Sequence, residues 1–279
     1  MGSSVISAHL ITHQCLTLDY CLEATVRSMM DLCDNIYIND GKSTDGTLDL
    51  LYTLQKEYGK DRVVIFEREW EHNRRVWADQ KNFLLDKIPF DAYVIFIDAD
   101  EVIHENDILA IRELTNKGIP AVSFKVIHFY GRPTHYIDGP AWYKRHTRLC
   151  KRSTGIRLHH IEKGCADDLI WPNGMTAHMA GCFLSNIVLY HYGNCRDPRA
   201  LGRKSKKADD LYQYSSEYKG GKLAEPRSFS YAFDKVGAKV FTGSHPKYVS
   251  KWIEDHKNQA TEYICDDKEI NKLWCFKEN

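Results

Sequence analysis

Asp98-Ala99-Asp100-Glu101 follows six apolar or aromatic residues, Ala92-Tyr93-Val94-Ile95-Phe96-Ile97. Two carboxylates one residue apart suit a hard divalent ion that bridges phosphate oxygens. One carboxylate binds directly, and the other through water or a ribose hydroxyl. A solvated acidic turn capping the next helix is the plainer reading. The preceding strand favours the first: a continuous apolar run is buried on both faces, and ligands of open α/β sheets bind beyond the carboxyl ends of such strands.

A second polar segment, Asn39-Asp40-Gly41-Lys42-Ser43-Thr44-Asp45-Gly46-Thr47, closes another short β-type run. Asp40 is expected at a base edge or ribose, while Asp45 fixes the turn and, like Thr44, offers a helix cap. Turn chemistry alone accounts for half of this segment.

The elements that must position these groups alternate. Val5 to Ile11 is an apolar run, and Leu22, Val26, Met29 and Cys33 recur at helical spacing. Asn35 to Asn39 is a strand stopped by Asp40-Gly41, and Leu48, Leu51, Leu54 and Tyr58 share a helical face. Arg62 to Phe66 predicts a strand, Trp77 to Ile88 a helix, Ala92 to Ile97 a strand, Asp107 to Leu114 a helix and Ala121 to His128 a strand. The expected class is α/β, a single domain with a mostly parallel central sheet flanked by helices. Phe129 to Gly193 is rich in His, Tyr, Trp, Arg and Gly and is expected as loops and short strands. Asp197-Pro198 is a helix start, and a last helix is expected near Pro246 to His256. Residues 1–193 are assigned to the ligand-binding domain and 194–279 to a helical or irregular extension packed on it.

The bulk properties exclude little but agree. The chain has 279 residues, 43% apolar and 27% charged, with zero formal net charge, which argues against a protein built mainly to hold a polyanion. Its nine cysteines include no CxxC pair. They read as free thiols of a reducing compartment, so a cytoplasmic location, at most peripheral to a membrane, is expected. No apolar run is long enough to span a bilayer.

Asp40 to Thr47 resembles the DGGSTDGT-type segment of family 2 glycosyltransferases with the GT-A fold, and Ile97-Asp98-Ala99-Asp100-Glu101 resembles their acidic metal motif. Gln80-Lys81-Asn82-Phe83-Leu84 is similar to a helix that lies between these two, with Lys81 where the family usually has Arg. The resemblance, over about residues 5 to 193, implies a nucleoside diphosphate sugar donor, Mn²⁺ or Mg²⁺, and inverting transfer to an acceptor hydroxyl. It implies Asp40 at the base or ribose, Asp98 near the ribose and metal, Asp100 on the metal, and a donor site that includes Asp45, Lys81 and Asn82.

Two later stretches extend it. Thr147 to Arg152 followed by Leu158-His159-His160-Ile161-Glu162 resembles a stretch that ends in an acidic residue. Glu162 is the first choice for general base, then Asp167 or Asp168, with His160 behind. Val188-Leu189-Tyr190-His191-Tyr192-Gly193 resembles a segment whose His can complete the metal shell, so His191 is a candidate third ligand. The basic segment Arg196 to Lys207 would, if helical from Pro198, put Arg199, Arg203 and Lys206 or Lys207 on one face. That face is either solvated, or a lid over the donor diphosphate, with Arg203 among its contacts, or a phosphate contact to nucleic acid. Trp142, Tyr143, Trp171 and Trp252 could stack on sugars or fill a core. The acceptor is open among glycan, protein, lipid and nucleic acid. A sugar-phosphate nucleotidyltransferase and a non-catalytic nucleotide- or glycan-binding protein of the same fold are the rival readings.

Overall fold

The computed structural model describes residues 4–71, 73, 75–140, 142–160, 167–177, 181–213 and 228–264. The predicted alternation is present from the first strand. Strand β1 (Ile6–Thr12) is buried along its whole length. Helix α1 (Leu22–Leu32) turns Leu22, Val26 and Met29 into the core, as its spacing requires. Strand β2 (Asn35–Asp40), helix α2 (Thr47–Tyr58), strand β3 (Val63–Glu67), helix α3 (Val76–Leu85) and strand β4 (Tyr93–Phe96) follow. These strands are parallel in the order β3-β2-β1-β4. The chain builds outward from β1 through β2 to β3, then crosses to β1's other side for β4. Successive connections diverge between β1 and β4, and that divergence opens a crevice at their carboxyl ends.

Beyond β4 the sheet is mixed. Strand β5 (Glu101–Ile103), helix α4 (Ile108–Asn116), strand β6 (Ala121–Tyr130), strand β7 (Arg132–Ile137) and strand β8 (Arg145–Lys151) come next. The pairs β4–β8, β8–β6 and β6–β7 are antiparallel. Among β1 to β8, parallel pairing is therefore confined to the four strands at the crevice. Strands β9 (Arg157–His160) and β10 (Asp167–Ile170) form a separate antiparallel pair. The stretch expected as loops and short strands holds a 12-residue strand, β11 (Phe183–Asn194). It runs parallel to β6 and antiparallel to β5, and two register shifts interrupt its pairing with β6. Pairing on both edges stabilises a strand whose own alternation is broken by bulges.

Helix α5 (Pro198–Gln213) starts as its sequence requires, with the backbone N–H of Arg199 donating to Asp197 Oδ1 at 2.7 Å. Strand β12 (Phe229–Ser230), helix α6 (Phe233–Val236), strand β13 (Lys239–Val240), helix α7 (Ser250–His256) and strand β14 (Glu262–Tyr263) complete the described chain. Strand β13 extends the main sheet at the β7 edge, and β12 pairs with β14. The last helix is preceded by a single 3₁₀ turn at Lys247–Val249 rather than starting at Pro246. The six described cysteines form no disulfide, and no described helix is long and apolar enough to cross a membrane.

Helix α7 is tied to the loop after β1 through His256. Its Nδ1 donates to the Trp252 carbonyl at 2.6 Å, and its Nε2 lies 2.9 and 2.8 Å from the two oxygens of Asp19. Both partners only accept, so the ring carries a proton on each nitrogen. Burial opposes that charge, but Asp19 outweighs it and the pKa is raised above 6.5. A raised folded-state pKa contributes stability that is complete below 6.5 and lost as pH rises through the folded value. The thermal midpoint should therefore fall as pH rises above 6.5 in the wild-type protein, and fall less in His256→Gln. Equal slopes in a pH series of melting curves would refute this link.

Candidate active site

A cavity of about 480 Å³ lies at the carboxyl ends of β1 and β4, lined among others by Thr12, His13, Asp98, Asp100, His191 and Lys204. The acidic turn at its floor is held from several sides. The Asp98 N–H donates to Glu101 Oε2 at 3.0 Å, Thr25 Oγ1 donates to the Glu101 carbonyl at 2.9 Å, and the Tyr192 N–H donates to the Asp100 carbonyl at 2.8 Å. Strand β11 thus docks on the turn itself, and the register that sets His191 opposite Glu101 brings the imidazole to Asp100.

Asp98 and Asp100 are held by different cations. Lys81 Nζ lies 3.1 Å from Asp98 Oδ1, and Arg148 donates to Asp98 Oδ2 at 2.9 Å. Arg148 also pairs with Glu101. Burial would raise the Asp98 carboxyl, yet Lys81 and Arg148 outweigh it and hold it well below the ordinary carboxylate range. Asp100 Oδ2 accepts from Arg196 at 2.6 Å and lies 3.6 Å from Lys204 Nζ, while Oδ1 faces His191 Nε2 at 3.8 Å. Here too burial is outweighed, by Lys204, His191 and Arg196, and the carboxyl sits at about 2. Burial lowers His191 to about 3, so its imidazole is neutral.

Asp98, Asp100 and His191, expected together on a metal, do not form one three-ligand cluster, and none occurs among the described residues. Neighbouring positions of the turn point their carboxylates apart. Asp98 meets the cations of α3 and β8, and Asp100 meets β11 and Arg196. The donor set at Asp100 nonetheless fits a divalent ion, since a carboxylate oxygen and a neutral imidazole nitrogen converge there. Gly193 makes room for them: a Cβ there would stand 2.2 Å from His191 Nε2 and 2.8 Å from Asp100 Oδ2. Gly193→Ala is expected to weaken Mn²⁺ binding by about 10–100-fold with an unchanged circular dichroism spectrum. An isothermal titration giving the wild-type constant would contradict that geometry.

The Asp40 segment supports the cavity wall from behind. Asp40 is fully buried; its Oδ2 accepts from Thr12 Oγ1 at 2.7 Å and Ser43 Oγ at 2.8 Å, and its Oδ1 from the Ser43 N–H at 2.6 Å. Its carboxylate holds Thr12 in place rather than reaching the cavity. Asp45 accepts from the Thr17 N–H at 2.7 Å and from Thr47 Oγ1 at 2.6 Å, and the α2 cap position itself is Gly46, with φ 91°. Lys42, where the family pattern has Gly, also takes a left-handed φ of 56°. Gly41 lets the loop pass the Trp70 and His13 rings, which a Cβ would meet at 2.8 and 3.0 Å. These rings stack with centroids 4.6 Å apart, and Lys207 Nζ donates to His13 Nδ1 at 2.7 Å.

In α3, Lys81 lines the cavity but Asn82 does not. The Asn82 amide clamps β9, donating to the Leu158 carbonyl at 2.7 Å and accepting the Leu158 N–H at 3.0 Å. In α5 the inward face is Ala200, Lys204, Lys207 and Ala208, so Arg199 and Arg203 fall outside the cavity lining. The helical period is as expected, but the buried Ala200 and Leu201 set its rotation, which charge alone does not reveal. Of the aromatic candidates, Tyr143 lines the cavity, while Trp142, Trp171 and Trp252 pack on apolar clusters.

Glu162 lies outside the described residues. His160 and Asp168 belong to the paired strands β9 and β10, with His160 opposite Asp167 and His159 opposite Asp168. Arg148, Arg196, Lys204 and His13 line or support the site without having been assigned a role from sequence. For Arg148 a signal existed, a basic residue within a run of strand residues, on the face opposite Thr147 and Leu149; for Arg196, buried 178 residues beyond its partner Leu18, none did.

The family described as glycosyl transferase family 2 matches residues 7–166. No curated protein matches the chain. Among solved structures, S. aureus TarS residues 1–349 in complex with UDP is 17% identical with TM-score 0.35, the match covering 46% of this chain and 36% of that one. The mannosyltransferase PcManGT from Pyrobaculum calidifontis, in complex with GDP-Man and Mn²⁺, is 19% identical with TM-score 0.36 over 46% of this chain and 36% of that one. GalNAc-T7 with UDP, GalNAc and Mn²⁺ is 15% identical with TM-score 0.36 over 46% of this chain and 24% of that one.

Proposed function

This chain belongs to glycosyl transferase family 2, and from that premise we propose that it transfers a sugar from a nucleoside diphosphate sugar to an acceptor hydroxyl, with inversion and with a divalent ion, Mn²⁺ or Mg²⁺. The observation that carries this reading is the cavity at the switch point, whose floor is the acidic turn and whose wall from α5 brings in Lys204 and Lys207. Carboxylates below and ammonium groups above match a diphosphate bound through a cation on one side and directly on the other.

Base and ribose would lie toward Thr12, His13 and Trp70, with Asp40 fixing Thr12 from behind. Asp98, tethered by Lys81 and Arg148, keeps an oxygen oriented for a ribose hydroxyl. Asp100 and His191 would hold the ion, which when bound supplies Lewis-acid charge to the diphosphate oxygens. Lys204 receives the negative charge that grows on the leaving diphosphate. Glu162, in the segment joining β9 to β10, is the proposed base for the acceptor hydroxyl, with Asp168 and His160 as the next candidates. Asn82 supports that side by holding β9 against α3.

The test is a thermal-shift screen of nucleoside diphosphate sugars with Mn²⁺, followed by donor hydrolysis and transfer assays with and without the metal. A true donor should raise the unfolding midpoint by mass action. Stabilisation without turnover would identify a binding protein of the same fold. No stabilisation by any donor would remove the proposal.

A further inference from the structure

Resting on the donor-site reading above, we propose that His128, which nothing in the sequence marks, is the positioning residue that fixes the proton of His191 and so presents a bare Nε2 to the metal. Strands β6 and β11 set His128 and His191 opposite one another in register, with their Nδ1 atoms 2.9 Å apart. Two ring nitrogens at that separation share a single hydrogen. On its other side, His128 Nε2 stands 2.8 Å from the Tyr143 carbonyl oxygen. A carbonyl only accepts, so this Nε2 carries a hydrogen. A second hydrogen on His128 Nδ1 would make the ring a cation that is 1% exposed, with no carboxylate hydrogen-bonded to it among the described residues. Such a buried unpaired charge is strongly disfavoured. The shared hydrogen therefore belongs to His191 Nδ1.

With its hydrogen held at Nδ1, a neutral His191 offers the lone pair of Nε2, and this is the atom that faces Asp100 Oδ1 at 3.8 Å. Two donor atoms each about 2.1 Å from one ion stand roughly 3 to 4 Å apart, according to the angle between them. The order Tyr143 carbonyl, His128, His191 thus runs from a fixed backbone acceptor to the ion position, and every hydrogen in it has one place. The His128 ring is itself held, with the Tyr143 ring edge-on at 4.5 Å and Trp142 at 5.2 Å between centroids. Metal-binding histidines commonly donate their second nitrogen to a fixed acceptor; here the acceptor is another imidazole, oriented in turn by the main chain.

The test uses the full chain, with no sugar donor present. Side-chain ¹⁵N–¹H spectra of the metal-free protein should show His191 protonated at Nδ1 and bare at Nε2, and His128 the reverse. Mn²⁺ alone, titrated by electron paramagnetic resonance, should bind about 10–100-fold more weakly to His128→Phe. His128→Asn keeps an acceptor oxygen near the Nδ1 position and should stay within about threefold of wild type. A proton on His191 Nε2, equal Mn²⁺ affinity in the Phe variant, or no Mn²⁺ binding by the wild-type protein would each overturn the proposal. If His128→Phe does not fold, the wild-type spectrum decides. A protein that shows the expected spectrum and Mn²⁺ pattern yet transfers no sugar would overturn the functional reading and leave this one standing.

Discussion

Asp100→Asn is expected to lower sugar transfer by at least about 10³-fold, because it removes the charge that would hold the ion against the diphosphate, a contribution of several kcal/mol to the transition state. The same change should also cost stability. Arg196 is fully buried and donates to Asp100 Oδ2 at 2.6 Å. Neutralising the carboxylate leaves that guanidinium with the Leu18 carbonyl, the face of Tyr20, 4.1 Å from its ring centre, and Asp19 as its remaining carboxylate. Breaking a buried pair from one side costs about 3 kcal/mol. Loss of activity in this variant alone therefore does not separate catalysis from folding. Asp100→Asn combined with Arg196→Met does, since removing both partners should restore most of the denaturant midpoint without restoring transfer. A double variant that regains activity would show Asp100 to be a structural counter-ion only.

Lys204→Met should reduce kcat by about 10²-fold and change the donor KM much less. Its ammonium lies 3.6 Å from Asp100 Oδ2 with the side chain 38% exposed, so it reaches the cavity rather than being sealed into a pair. Charge on the diphosphate rises as the glycosidic bond breaks, and an interaction that strengthens with that charge acts on the transition state more than on binding. Methionine keeps the apolar stem, so lost packing does not confuse the result. Arg203→Met, adjacent on α5 but outside the cavity lining, should leave kcat within about twofold. Steady-state rates of the two variants compared at saturating donor check the rotation of the helix. Equal losses in both would mean that α5 acts as a diffuse basic surface.

The donor half of the fold was legible because local rules agreed there. A buried parallel strand has to be apolar throughout, so Ala92 to Ile97 announced β4, and the polar residues immediately after it had to lie at a strand end. The spacing of Leu22, Val26 and Met29 likewise specified the buried face of α1. Asp40 shows the limit of such reasoning. It is the last paired residue of β2, and whether its oxygens face the cavity or its own loop depends on Thr12 and Ser43, of which Thr12 is 28 residues away.

The sequence by itself determined the order of the first four strands' elements, the acidic turn at the end of β4 and the start of α5, because each follows from residues within one or two turns of chain. Only the tertiary structure decided how the carboxylates of that turn are used. Asp98 faces Lys81 and Arg148, and Asp100 faces Arg196, Lys204 and His191, partners drawn from α3, β8, β11, α5 and the connection between the last two. The register of β11 against both β5 and β6 assembles the Asp100 side, and register between distant strands depends on packing summed over whole faces. That is also why His128, an ordinary strand residue in sequence, comes to stand behind His191.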